Sequence, residues 1–116
     1  IGVNWLFAPV VDINNNPDNP VINIRSFGAN PQKVGEFGAA LTKGVREANC
    51  LATLKHFPGH GDTATDSHIG LSVITIDRQR LDAVELVPFK MAIEAGADSV
   101  MTAHVALPKI TGDEIP

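Results

Sequence analysis

The densest chemistry in the sequence lies in Lys55-His56-Phe57-Pro58-Gly59-His60-Gly61-Asp62-Thr63-Ala64-Thr65-Asp66-Ser67-His68, which holds three of the chain's four histidines. Asp66 and His68 are one residue apart. A carboxylate beside an imidazole fixes the ring tautomer and favours the protonated ring. A histidine so paired can protonate a leaving group and later take a proton from water. The same spacing also suits an Asx-turn, in which Asp66 bonds its own backbone. Lys55 and His56 end an apolar run, so a strand would hold them on a rigid element. Strand neighbours point to opposite faces. The two therefore reach one site only if the strand ends or bends there, and Pro58 gives a reason for it to do so. The alternative for Lys55 is a solvated strand end.

His56, His60, Asp62 and His68 could instead hold a metal, since catalytic zinc takes three such ligands plus water. The His56–His60 spacing is the one used by helical zinc motifs. Pro58, Gly59 and Gly61 argue against a helix, which leaves a loop-borne site. Arg25, in Asn23-Ile24-Arg25-Ser26-Phe27-Gly28, could fork onto a pair of ligand oxygens or pin its own loop through carbonyls. Asp12 ends the first apolar run and either meets ligand or caps the Asn-rich turn. His104 either lines the same face or is a satisfied core histidine. Cys50, the sole cysteine, falls between a helix and a strand on the far side and is not nominated as a nucleophile. No Gly-rich phosphate-binding fingerprint is present.

The elements that position these residues alternate in type. Val3 to Val11 reads as a buried strand, limited by Pro9, and Asn14 to Pro20 is turn-forming. Asn30-Pro31 reads as an N-cap followed by proline at the first helical position. Val34, Phe37, Leu41, Val45 and Ala48 then mark one helical face. Leu51 to Phe57 reads as a second strand, followed by a polar loop through Asp62 to His68. Asp77 is placed to cap a short turn around Leu81. Pro88 suits the first turn of a helix, Gly96 suits its end, and Ser99 to Val105 reads as a third strand stopped by Pro108. Strands alternating with helices predict an α/β fold of parallel β/α units with right-handed crossovers. An open doubly wound sheet and a piece of a (β/α)8 barrel both fit. The long, polar connections all follow strands, which is where ligands bind in such folds.

Nine Lys and Arg against thirteen Asp and Glu give a net charge of −4 over 116 residues. With no basic cluster, a nucleic-acid groove is not expected. No apolar run approaches the roughly 18 residues of a membrane helix, and a single cysteine excludes an intrachain disulfide framework. The first residues lack the pattern of a signal peptide and a starting Met. This leads to the expectation of a piece of something longer.

Lys55-His56-Phe57-Pro58-Gly59-His60-Gly61 followed by Asp66-Ser67-His68 resembles the signature of glycoside hydrolase family 3, in its bacterial β-N-acetylhexosaminidase branch. The likeness extends to Asn4-Trp5-Leu6-Phe7-Ala8-Pro9-Val10-Val11-Asp12 and to Arg25-Ser26-Phe27-Gly28. It continues through Leu86-Val87-Pro88-Phe89 and Val100-Met101-Thr102-Ala103-His104, in unbroken order. The resemblance implies parallel β/α units forming part of a (β/α)8 TIM-type barrel, with residues 1–116 as a single partial domain from its middle. It implies retaining hydrolysis of a terminal β-linked N-acetylglucosamine-type sugar, with His68 as acid/base, Asp66 its partner, and Arg25, Lys55 and His56 on the sugar hydroxyls. It implies no cofactor. The partners it implies are an amino-sugar glycoside derived from peptidoglycan and the remainder of the parent barrel. Bacterial cytoplasm and cell envelope both remain open. Most retaining glycosidases use two carboxylates. Here a histidine stands for one, and the nucleophilic Asp is expected beyond Pro116, so the chain alone is expected to be inactive. A phosphorylase, a metal-dependent hydrolase and a non-catalytic sugar-binding module remain as alternatives.

Overall fold

The computed structural model describes residues 2–16, 18–19, 21–63 and 71–112. Its centre is a parallel three-stranded sheet of β1 (Trp5–Leu6), β2 (Leu51–Phe57) and β4 (Ser99–Thr102), in the order β1-β2-β4. Trp5 pairs with Leu51, and Thr53, Leu54 and Lys55 pair with Ser99, Val100 and Met101. A second parallel pair joins β3 (Ser72–Val73) to β5 (Val105–Ala106). The β/α alternation and the parallel pairing expected from the sequence are both present. Among the described residues, no helix is long and apolar enough to cross a membrane.

Helix α1 (Pro31–Glu47) begins as the sequence predicts, with the Asn30 side chain accepting from the Lys33 N–H and Pro31 in the first turn. That bond satisfies a donor the helix cannot satisfy itself. Its buried face differs from the expected one. Val34, Gly35, Gly38, Thr42 and Val45 are buried, whereas Phe37 and Leu41 are 54% and 42% exposed. The glycines explain the rotation. A Cβ at Gly38 would lie 2.7 Å from Val11 Cγ1, and one at Gly35 would meet the Met91 thioether. The helix thus seats its glycine stripe against strand and helix, and Phe37 stacks on Phe27 at 5.5 Å instead.

The second helical segment starts earlier than the proline suggests. Asp77 caps α2 (Arg78–Arg80) through the Arg80 N–H. A wide π turn over Leu81–Glu85 then leads into α3 (Leu86–Glu94) without a break. Pro88 therefore lies inside a continuous helical stretch. It cannot donate to the carbonyl four residues back, and a wide turn just before it is one way a helix accommodates that mismatch. Gly96, at φ +98°, closes the segment.

Three further expectations need correction. The first strand is only two residues long, with Val10 bridging to Lys55, and Trp5 and Phe7 are about half exposed because β1 is the edge of the described sheet. The expected strand Ser99 to Val105 is two strands in two sheets, β4 and β5, broken at Ala103-His104. Pro108 does not merely end that run but opens α4 (Pro108–Thr111).

The buried cluster of Val11, Ile13, Val34, Leu54, Phe89 and Ala92 joins the sheet to α1 and α3. Leu54 faces this core, so Thr53 and Lys55 face the other way. On that other face Trp5 Nε1 donates to Thr53 Oγ1 at 2.7 Å, and Thr53 Oγ1 lies 2.7 Å from Ser99 Oγ. A polar row therefore crosses the sheet behind the site.

Candidate active site

The site forms where β2 ends. By alternation, His56 should share the core-facing side of Leu54. The pairing with β4 instead skips it: Lys55 pairs with Met101 and Phe57 with Thr102. An extra residue in one strand bends it and re-aims a side chain. His56 thereby reaches the carboxylate that also acts on Lys55, namely Asp12. The bend foreseen from Pro58 is present, at His56, two residues before the proline itself.

Asp12 is fully buried, and its two oxygens organise the strand end and the loop after it. Oδ2 accepts from the His56 backbone N–H at 3.0 Å and lies 2.8 Å from His56 Nδ1. Oδ1 accepts from the His60 N–H at 2.6 Å. The Asp12 carbonyl accepts from Ser26 Oγ at 2.6 Å, which ties in the loop bearing Arg25. Arg25 is exposed, and its Nη1 donates to the Val21 carbonyl at 3.0 Å. Lys55 has its pKa lowered, first by burial and then by the Arg25 charge, with Asp12 opposing. Arg25 and Asp12 thus both act on the Lys55 charge, Asp12 also holds His56, and the contact Arg25 itself makes is the loop-pinning one to a carbonyl.

A cavity of about 240 Å³ opens here, lined by His56, His60, Met101, Thr102, Ala103 and His104 together with Val21. Of the two readings of His104, lining the same face is the one observed. A larger cavity of about 350 Å³ lies beside α2 and α3, lined mostly by apolar residues such as Phe57, Leu81 and Leu107. It lacks the convergent polar groups that a ligand site needs for orientation.

His60 is buried and structural in its contacts. Its Nδ1 lies 2.6 Å from Thr63 Oγ1, and its carbonyl accepts from Asn19 Nδ2 at 2.7 Å. The Nδ1 atoms of His56 and His60 are engaged by Asp12 and Thr63, and His68 of the metal alternative lies outside the described residues. Among the described residues no group of three or more His, Cys, Asp or Glu is placed to hold a metal. Asp66 and His68 lie outside the described residues.

Glu85 is a buried acid that the sequence reading passed over. It is 4% exposed, receives Arg80 Nη2 at 3.0 Å and Asn15 Nδ2 at 3.2 Å, and packs against Gly59. The signal was present: Leu81, Glu85 and Phe89 follow at steps of four, which puts the acid on the buried helix face.

The model of the glycosyl hydrolase family 3 N-terminal domain matches residues 1–116. The chain belongs to glycosyl hydrolase family 3. A β-hexosaminidase A from Pseudoalteromonas piscicida is 46% identical over 116 residues, covering 99% of the chain and 19% of that relative. A β-hexosaminidase from Hydrogenovibrio crunogenus is 41% identical over 116 residues, covering 100% and 32%. Among solved structures, a family 3 β-N-acetylglucosaminidase from Paenibacillus sp. str. FPU-7 superposes with a TM-score of 0.96 at 50% identity, covering 99% of the chain and 22% of that one. NagZ from Neisseria gonorrhoeae, in complex with N-trifluoroacetyl-D-glucosamine, superposes at 0.89 with 35% identity, covering 97% and 32%. The chain spans between a fifth and a third of the length of these family members. Its parallel β/α units are part of a (β/α)8 barrel, so the open-sheet alternative falls away.

Proposed function

We propose that the full-length protein is a retaining β-N-acetylglucosaminidase and that this chain, a single partial domain from the middle of its barrel, carries the acid/base half of the machinery. His68, oriented by Asp66, protonates the leaving oxygen while a nucleophilic Asp from outside this chain attacks the anomeric carbon. His68 then activates the water that releases the sugar. Arg25, Lys55 and His56 hold the sugar hydroxyls, and the natural substrate is an amino-sugar glycoside of cell-wall type. A histidine suits this role at neutral pH without the burial that a glutamic acid requires.

The observation that carries this reading is the cavity at the carboxyl end of β2 lined by His56, His60 and His104, with the buried Asp12 carboxylate holding His56 and acting on Lys55. Ligands of (β/α)8 enzymes bind at that end of the strands. The names of the relatives support the same substrate class. The test uses the full-length protein with a chromogenic β-N-acetylglucosaminide. Wild type releases the chromophore, and His68→Ala keeps sugar binding while turnover falls at least a hundredfold, as removal of a general acid does. Unchanged turnover refutes the role of His68, and binding without turnover in the wild type identifies a sugar-binding module instead.

A structural relative at 35% identity is a β-glucoside phosphorylase, so the products are analysed with and without phosphate. A sugar 1-phosphate would move the reaction from hydrolysis to phosphorolysis. The isolated 116-residue chain is expected to release no chromophore.

A further inference from the structure

We propose that Asp12 is a positioning residue that holds the His56 ring with its proton on Nδ1, making Nε2 an acceptor for a substrate hydroxyl beside the Lys55 ammonium. This rests on the reading of Lys55 and His56 as sugar ligands. The donor count carries the tautomer. An ionised carboxylate only accepts, so the 2.8 Å contact between Asp12 Oδ2 and His56 Nδ1 requires the proton on Nδ1. The carboxylate cannot turn away. Oδ2 also accepts the His56 backbone N–H, Oδ1 accepts the His60 N–H, and the group is fully buried.

A neutral ring with its proton on Nδ1 has its lone pair on Nε2, the nitrogen that can meet a ligand in the cavity that His56 lines. Lys55 can only donate. The two together therefore read a group that both accepts and donates, which a hydroxyl does. A fluorine at the same position cannot donate. Asp12 in this way selects a hydroxylated ring without touching it.

The experiment uses the full-length protein with ¹⁵N-labelled histidine. Ring-nitrogen shifts of His56 in the wild type are expected to show Nδ1–H and a bare Nε2. An Nε2–H tautomer overturns the proposal, whatever the activity and whether or not any variant folds. Asp12→Asn is expected to change that tautomer and to lower kcat/KM about tenfold through KM, the loss expected for one hydrogen bond. In a His56→Ala background the same substitution is expected to change kcat/KM less than about twofold. An equal loss in both backgrounds marks Asp12 as a purely structural residue and overturns the proposal. Wild type should also discriminate one deoxyfluoro sugar from its hydroxyl parent about tenfold, and His56→Ala should abolish that discrimination. Discrimination kept by His56→Ala counts against the proposal. A wild type inactive on N-acetylglucosaminides refutes the functional reading while leaving the tautomer measurement to decide the role of Asp12.

Discussion

Four glycine-to-alanine substitutions add the same methyl group and should differ in sign, because each methyl meets something different. At Gly44, exposed in α1, nothing lies within 4 Å of the new Cβ. Only helix propensity acts there, and the change stabilises by about 0.5–1 kcal/mol. At Gly35 a similar gain is offset by displacement of the Met91 thioether, a flexible side chain that can move, so the net effect is near zero. At Gly38 the methyl meets Val11 Cγ1 at 2.7 Å. Val11 is fully buried and stiff at χ1, so overpacking of about 1–3 kcal/mol prevails. At Gly61 the methyl would fall on the Ile13 carbonyl, which is main chain and cannot rotate away. The loop must shift, and with it the 2.6 Å bond from the His60 N–H to Asp12. A bond to a charged acceptor contributes about 1.5–3 kcal/mol, so the total destabilisation is about 3–5 kcal/mol. Scanning calorimetry of the full-length protein reads the order directly. For a domain of barrel size each kcal/mol moves Tm by about 2–4 °C, so Gly61→Ala should melt about 10 °C lower and Gly44→Ala about 2 °C higher. A Gly61→Ala protein melting within 2 °C of wild type, or above Gly38→Ala, refutes the close approach of the loop to the Ile13 main chain.

Other outcomes follow from the same contacts. Arg25 lowers the Lys55 pKa and Asp12 raises it, so Arg25→Met should move the Lys55 titration upward, as read by NMR of the side-chain amine. Burial and the Arg25 charge put the folded pKa of Lys55 below the unfolded one. The unfolded chain binds the extra proton between the two pKa values, so stability from this group rises with pH in that window. Lys55→Met should remove the rise, and a rise that persists assigns it elsewhere. Glu85→Ala strands Arg80 Nη2 and Asn15 Nδ2. Because Arg80 is 41% exposed, the loss should be about 1–3 kcal/mol rather than that of a fully buried pair, measured by urea denaturation. Asn30→Ala removes the cap of α1 and should cost about 1 kcal/mol with kcat unchanged.

Local signals were readable where local chemistry decides. Asn30-Pro31 marks a helix start because a capping side chain and a proline act on their immediate neighbours. Leu51–Phe57 was legible to the residue, bounded by a helix end and by Pro58-Gly59. The buried face of α1 was not. Apolar spacing favours Phe37 and Leu41, whereas two glycines let the backbone approach, a preference visible only once Val11 and Met91 are in place. The strand at 99–105 likewise read as one run because both halves are apolar. Which sheet each half joins depends on partners more than twenty residues away.

For the site, residue types and order alone identified the family, since a long ordered set of motifs survives without coordinates. They also placed Arg25, Lys55 and His56 among the ligand candidates and put the polar loops at the strand ends. The tertiary structure decided how those residues meet. Strand alternation would have sent Lys55 and His56 to opposite faces, and the extra residue in the β2–β4 register brought them to one carboxylate. It also singled out Asp12, 44 residues from His56 in sequence, as the group that sets the imidazole. No local pattern encodes that pairing, because a buried carboxylate takes its partners from whatever donors the fold brings within hydrogen-bond distance.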